Sequence, residues 1–310
     1  MTLTQLSYIV AVNKYRHFAT AAEKIYVTQP TLSMQIHKLE EQLGVKIFDR
    51  SRSPVVPTEV GEKIIQVATE ILKQARHIED IARMSDETLR GTFRIGVIPT
   101  IAPYLLPLFL KSFMESYPEV ELVIEELLTQ DVIEGLTDDT LDAGIIATPT
   151  EQSHIYVEEL YKEPFVGYLS GDHPLNKNKS LKVNQIEDMQ VWLMNEGHCL
   201  RNQALKLCKK ARSGNGLSIR FESGNLETLK KLVEQNFGMT LMPILAVQDF
   251  DSNCANAVVK QFEAPVPSRK VRLIYGREFL KKKLIKALKK QIQDHLPPEL
   301  KKNEKLLVID

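Results

Sequence analysis

The chain has 310 residues, 43% of them hydrophobic and 26% charged, and its 40 Lys and Arg balance 40 Asp and Glu. This length predicts two or more domains at roughly 150 residues each. A zero net charge excludes nucleic-acid binding through gross charge alone. No apolar run approaches the roughly 20 residues that span a bilayer, so no membrane partner is expected. The opening residues do not resemble a secretory signal, which predicts a cytoplasmic protein with reduced thiols.

Short amphipathic helices are predicted in residues 1–58. Thr28 suits a helix N-cap and Pro30 the first helical turn, and Gly44 is typical of a C-cap. The polar side chains outside the apolar stripe of this helix can bond base edges and phosphates in a major groove. The candidate DNA-binding residues here are Thr28, Gln29, Pro30, Thr31, Ser33, Gln35 and Lys38.

Two arginines follow in the stretch IFDRSRSPVVPTEVG. Prolines break this stretch into extended segments, which is typical of a β-wing beside a helix-turn-helix. Arg50 and Arg52 would then reach a phosphate or the minor groove. Any small three-helix domain would share the helical pattern, and the wing favours the DNA-binding interpretation.

A long helix is predicted for residues 59–89. Apolar residues recur there at alternating steps of three and four, from Val60 to Ala82. This pattern suits a helix that pairs with a copy of itself. Two recognition helices that read two half-sites also need a two-fold axis between them. A homodimer is therefore expected, or a homotetramer built as a dimer of dimers.

Beyond residue 90, short apolar strands alternate with helical segments, which indicates an α/β domain. In open parallel sheets a ligand binds at the carboxyl ends of the strands. Thr100 follows one predicted strand, and Thr129 begins a helix after another. Both are candidates to line a cleft, although threonines at such positions are also common helix caps.

The segments FATAAEKIYVTQPTLSMQIHKLEEQLGVKIFDR and PTEVGE resemble the winged helix-turn-helix of LysR-type transcriptional regulators nearly position by position. This resemblance implies a mainly α DNA-binding domain, a linker helix and a two-lobed α/β regulatory domain similar to periplasmic binding proteins, an α+β multi-domain fold. Promoter DNA and RNA polymerase are the implied partners, and no enzymatic activity is expected. The expected boundaries are 1–58 for the DNA-binding domain, 59–89 for the linker and dimerisation helix, and 90–310 for the regulatory domain, with lobe I at about 90–161 and 268–310 and lobe II at about 162–267.

Two of the three cysteines lie nine positions apart in EGHCLRNQALKLC. Cys199 is predicted near a helix N-terminus, where N–H groups, His198 and Arg201 favour negative charge, so its thiol is expected to ionise readily. Such a thiolate could attack peroxide, but Cys208 fits equally a small buried thiol without chemistry. The residues alone leave both interpretations open. No metal site or cofactor is expected, since no C-x-x-C or second close histidine pair is present, and Cys254 is interpreted as incidental.

The segment GHCLRNQALKLC resembles the redox segment of peroxide-sensing members of the LysR family, and RIGVIPTIAPYLLP resembles their peroxide-binding segment. The resemblance implies that hydrogen peroxide oxidises Cys199 and that Cys208 resolves the product as an intramolecular disulfide. Antioxidant genes are then activated, and a cellular thiol reductant of glutaredoxin or thioredoxin type restores the thiols. The implied peroxide pocket consists of Thr100, Thr129, His198, Arg201 and Arg269.

This disulfide would require the helix between the cysteines to open. Nine helical residues span ~13.5 Å, whereas a disulfide joins Cα atoms within ~7 Å. Oxidation is therefore expected to refold the regulatory domain locally. Two alternatives remain: a LysR-type regulator that senses a metabolite and has incidental cysteines, and a thiol peroxidase with no specific DNA affinity.

Overall fold

The structure, a computed structural model, describes residues 1–83, 89–152, 154–187, 189, 191–208, 223–250, 256–276, 282–301 and 305–310. The chain forms two compact units, Met1–Glu87 and Thr88–Asp310. Within the described ranges, no helix is both long and apolar enough to cross a membrane. Cys254 lies outside the described residues.

The first unit is a helix-turn-helix with a two-stranded wing. Thr28 accepts a hydrogen bond from the backbone N–H of Thr31 and Gly44 ends the helix at φ 68°, so both expected caps are confirmed. The two wing strands pair antiparallel, and buried aliphatic side chains of the first three helices form the core. The elements are α1 (Leu3–Tyr15), α2 (Phe18–Lys24), α3 (Gln29–Leu43), β1 (Phe48–Asp49), β2 (Val56–Pro57) and α4 (Glu59–Arg83).

The helix α4 has two apolar faces. Its 25 residues form one helix, and Ile65 and Ala68 pack into the core of the first unit. Val60, Val67 and Ile78 are exposed. Their spacings of 7 and 11 residues are close to whole helical turns, so the three side chains lie along one line of the helix. This second face is open to a partner.

The second unit alternates strands and helices before a long returning strand. Strands and helices both contribute buried side chains to the lobe I and lobe II cores. The elements are β3 (Gly91–Val97), α5 (Ala102–Ser116), β4 (Val120–Glu126), α6 (Thr129–Thr137), β5 (Ala143–Ile146), β6 (Tyr156–Ser170), α7 (Val183–Ile186), α8 (Cys199–Leu207), α9 (Leu226–Glu234), β7 (Met239–Pro243), β8 (Ala257–Gln261), β9 (Val266–Tyr275), α10 (Lys282–His295) and β10 (Leu306–Val308).

The strands β6 and β9 join the two lobes. In lobe I the order is β4-β3-β5-β9-β6, where β3 is parallel to β4 and β5 and β9 is antiparallel to β5. β6 and β9 pair antiparallel from Tyr156↔Tyr275 to Pro164↔Ser268. β6 then continues into lobe II, where β7 and β8 pair with it. The lobe boundaries expected near 162 and 267 stay a prediction, and these two positions lie in β6 and β9.

Candidate functional site

The recognition helix α3 carries the candidate DNA-binding side chains on its outer surface. Thr28 and Thr31 also bond each other through their hydroxyls at 2.8 Å, which fixes the start of the helix. Gln35 accepts a hydrogen bond from Gln5 of α1 at 3.3 Å. The exposed members are Thr28, Gln29, Pro30 and Lys38, and the half-buried ones are Thr31, Ser33 and Gln35.

Arg50 ties the wing to the recognition helix. Its Nη1 donates to Ser33 Oγ at 3.0 Å and its Nη2 to Glu40 Oε2 at 3.2 Å. The guanidinium also lies 4.8 Å from the ring centre of Phe18. Glu40 is buried, and its Oε1 accepts the backbone N–H of Ile47 at 2.8 Å. Arg50 therefore balances a buried carboxylate, and its contact with DNA stays a prediction.

Arg52 is held more loosely. Its Nε lies 3.2 Å from Asp49 Oδ2, and its side chain is 71% exposed. Solvent weakens ion pairs of this kind. Arg52 can therefore exchange Asp49 for a DNA phosphate at little cost in free energy. Arg50 would have to break its hydrogen bond with the buried carboxylate of Glu40 to make the same contact.

The helix α8 carries one cysteine at each end. Gly197, at φ 92°, turns the chain into α8; Cys199 is the first residue of the helix and Cys208 its C-cap. Both thiols are free and buried. Cys199 packs in the lobe I core and Cys208 in the lobe II core. A helix of this length separates two Cα atoms at its ends by about 13 Å.

Arg269 organises the surroundings of Cys199. This fully buried side chain donates from Nη1 to Thr100 Oγ1 at 2.9 Å and from Nη2 to the Thr100 carbonyl at 3.0 Å. Its Nε donates to Glu163 Oε2 at 2.8 Å. Arg269 and Glu163 are opposite each other in the β6–β9 pair. No sequence motif indicated Glu163, because the strand register alone brings this carboxylate to the site.

Burial raises the pKa of the Cys199 thiol above its ordinary value, so the expectation of a readily ionised cysteine is wrong. The positive charge of Arg269, the Leu200 N–H and the Thr100 hydroxyl all lower this pKa, but they do not offset the lost hydration. His198 adds no fixed charge, because burial lowers the pKa of its imidazole. The neutral ring can still donate one N–H to a ligand.

Thr129 and Arg201 occupy different surroundings. Thr129 is the first residue of α6, and its buried Oγ1 has no hydrogen-bond partner among the described residues. This hydroxyl therefore does not cap the helix, and its place in a peroxide pocket stays a prediction. Arg201 instead donates to the carbonyl of Met194 at 3.0 Å and lines a small cleft with Trp192. The cation that acts on Cys199 is Arg269, and a role for Arg201 in the pocket stays a prediction.

Cys208 is unreactive where it lies. It is fully buried, and burial raises the pKa of its thiol to about 12. Its backbone N–H donates to the Ala204 carbonyl at 2.9 Å, which continues the helical hydrogen bonding. Cys208 can therefore become a nucleophile only after the end of α8 opens.

Comparisons with known proteins agree on both units. Residues 3–62 match the bacterial regulatory helix-turn-helix protein, lysR family, and residues 86–297 match the LysR substrate binding domain. A hydrogen peroxide-inducible genes activator of Haemophilus influenzae is 34% identical over 275 residues, which cover 89% of this chain and 90% of the relative.

Solved structures show the same similarity. A full-length cysteine mutant of OxyR from Pseudomonas aeruginosa has a TM-score of 0.73 and 35% identity, covering 94% of this chain and 95% of that one. A hydrogen peroxide-bound cysteine mutant of OxyR from Corynebacterium glutamicum has a TM-score of 0.63 and 30% identity, covering 95% and 92%. The similarity therefore extends over both units.

Proposed function

Because the chain belongs to the LysR family of bacterial transcriptional regulators, as an OxyR-like DNA-binding member, we propose that hydrogen peroxide joins Cys199 to Cys208 and so makes the protein an activator of antioxidant genes. One observation carries this proposal. Two free buried thiols stand at opposite ends of one helix, and Cys199 adjoins the Arg269 cation and the Thr100 hydroxyl.

The chemistry has two balanced steps. The Cys199 thiolate attacks one peroxide oxygen, the O–O bond breaks, and the departing hydroxide takes up a proton to form water. The product is a sulfenic acid. Arg269 stabilises the developing negative charge, and the hydroxyls of Thr100 and Thr129 hold the peroxide. The Cys208 thiol then attacks the sulfenic sulfur, which forms the disulfide and releases a second water.

The second step requires a conformational change. The Cα atoms of Cys199 and Cys208 are about 13 Å apart along the helix, and a disulfide needs less than ~7 Å. The helix α8 must unwind, and each cysteine leaves the core of a different lobe. Because both lobe cores lose a buried residue, the regulatory unit changes its packing as a whole.

Dimers complete the proposed regulator. The open apolar face of α4 offers Val60, Val67 and Ile78 to a second copy of the helix. Two recognition helices then read two promoter half-sites, as a dimer or a dimer of dimers that contacts RNA polymerase. The protein acts in the cytoplasm, where a thiol reductant of glutaredoxin or thioredoxin type resets it. It turns over no substrate pool.

Mass spectrometry after brief peroxide exposure tests the proposal. We expect a Cys199–Cys208 linked peptide in the wild-type protein and in a Cys254→Ser control, and none in Cys199→Ser. Free thiols that persist at both positions in the wild type would refute the disulfide. A Cys199→Ser regulator that still responds to its inducer would support the metabolite-sensing alternative.

A further inference from the structure

Gln203 lies in the middle of α8, one helical turn after Cys199. Its side chain is 1% exposed. Its Nε2 donates to the carbonyl of Ala147 at 2.9 Å and to the carbonyl of Ile309 at 3.2 Å. Ala147 follows strand β5 of lobe I, and Ile309 follows strand β10. One buried amide therefore binds the redox helix to two other segments of the regulatory unit.

The segment that contains β10 is itself anchored on its other side. β10 pairs parallel with β9, and the Ile309 N–H donates to the Ser268 carbonyl at 2.8 Å. Asp310 Oδ1 accepts Nη2 of Arg272 at 2.7 Å, and its carbonyl accepts Nζ of Lys206 on α8. This segment thus lies between α8 and β9, the strand that carries Arg269. The match to the LysR substrate binding domain ends at residue 297, before this segment.

We propose that Gln203 is a positioning residue that sets how readily the Cys199–Cys208 pair oxidises. The inference rests on the proposed disulfide, and the geometry supplies the reason. Gln203 lies between the two cysteines, so the unwinding that joins them pulls its amide away from both carbonyls. The two hydrogen bonds exist in the dithiol form and are lost in the disulfide form, so they favour the dithiol.

Gln203 binds the other two segments through the N–H donors of its side-chain amide. The Oε1 of Gln203 is buried without a hydrogen-bond partner among the described residues, whereas both Nε2 contacts end on carbonyl oxygens. An acceptor placed at Nε2 would face two carbonyl oxygens and be repelled. Glutamate at this position is therefore a chemical test that differs from glutamine by one group.

Redox equilibration of the full-length protein tests the proposal. The protein is incubated with mixtures of dithiothreitol and its cyclic disulfide, so that reduction of Cys199–Cys208 to two thiols oxidises one dithiothreitol, and free thiols are trapped with a maleimide. For Gln203→Ala we expect the equilibrium to move about tenfold toward the disulfide, which is ~30 mV for two electrons. Asn202→Ala changes the preceding residue, which is on the exposed side of α8, and should stay within about twofold of the wild type.

The variant Gln203→Glu adds a pH readout. Above the pKa of the new carboxyl, a carboxylate faces the Ala147 and Ile309 carbonyls and favours the disulfide; below that pKa, the protonated group donates one hydrogen bond and restores part of the dithiol stability. The difference between the dithiol–disulfide equilibria of Gln203→Glu and the wild type should therefore grow with pH. This pH dependence tests the role of Gln203 even if Gln203→Ala does not fold. A wild-type equilibrium and pH dependence in the folded variants would overturn the inference. If the wild type itself forms no Cys199–Cys208 disulfide, the proposed function fails instead.

Discussion

At the scale of single residues, the ionisation of Cys199 depends on the balance between its burial and the charge of Arg269. The guanidinium lowers the pKa of the buried thiol, but one of its edges is occupied by the carboxylate of Glu163. This negative charge offsets part of the attraction that a lone arginine would exert. Burial therefore prevails, and the resting thiol stays protonated at neutral pH. Positioned donors, such as the Thr100 hydroxyl, then matter as much as the thiolate fraction.

The reaction of Cys199 should keep accelerating as the pH rises. In a Cys208→Ser, Cys254→Ser variant it is the one remaining thiol of the three. Because its pKa is raised, the thiolate fraction still grows above pH ~8.5, where an ordinary cysteine is half ionised. The rate of alkylation by iodoacetamide, measured between pH 6 and 10, reports this fraction. A plateau below about pH 8 would show a lowered pKa and contradict the prediction.

The two wing arginines should separate into a stabilising and a DNA-binding residue. Arg50→Ala removes the guanidinium that donates to the buried carboxylate of Glu40, so we expect the free energy of unfolding to fall by about 1–3 kcal/mol. Arg52→Ala removes an exposed pair and should change stability little. Denaturant unfolding of the two variants measures the difference. Equal stability losses would mean that Arg50 does not support Glu40.

Arg52→Ala should nevertheless weaken DNA binding. If Arg52 contacts one phosphate, its loss reduces the slope of log K against log salt by about 0.9. Fluorescence anisotropy with a promoter fragment at several salt concentrations gives this slope. An unchanged slope would remove Arg52 from the DNA contacts.

At the scale of elements, α8 is short enough to be opened by one covalent bond. Isolated helices shorter than ~12–15 residues are marginal in water, so its nine residues depend on their packing. Its ends are buried in different lobe cores, and Gln203 holds its middle. In the proposed disulfide form, bridging the two ends would remove all three attachments together. The element can therefore convert an oxidation into a change of packing.

Hydrogen exchange should report the opening of α8. Amides such as the Cys208 N–H, bonded to the Ala204 carbonyl, should lose protection when peroxide oxidises the wild-type protein. In Cys208→Ser the sulfenic acid forms without a disulfide, so protection should persist. Exchange measured by mass spectrometry on peptides covering 199–208 compares the two proteins. Equal loss of protection in both would show that oxidation of Cys199 alone opens the helix.

At the scale of the whole molecule, α4 carries the proposed surface for assembly. One of its faces packs inside the first unit and the other exposes Val60, Val67 and Ile78. A protein with zero net charge gains no DNA affinity from its overall field. Pairing two recognition helices raises the affinity for two half-sites without new contacts. In the proposed dimer, assembly and DNA binding would thus be linked through one helix.

A charge on the open face of α4 should weaken this assembly. Val67→Glu places a carboxylate where the partner helix would bury valine, so we expect the dimer dissociation constant to rise at least about tenfold. Gln66→Glu adds the same charge one position away, on the polar side of α4, and serves as the control. Sedimentation equilibrium measures both. Identical self-association in the two variants would exclude this face as the interface.

Sequence alone determined the local features. The caps Thr28 and Gly44, the wing and the start of α8 near Cys199 follow from the preferences of neighbouring residues, which do not depend on distant parts of the chain. The nine-residue spacing of the cysteines likewise fixes their separation once the segment is helical.

Only the tertiary structure decided the environment of these groups. The register of β6 and β9 places Glu163 on Arg269, and the docking of β10 places the Ile309 carbonyl on Gln203. Burial then reverses the expected ionisation of Cys199. Hydration and pairing depend on atoms that are more than a hundred positions away along the chain, so no local pattern encodes them.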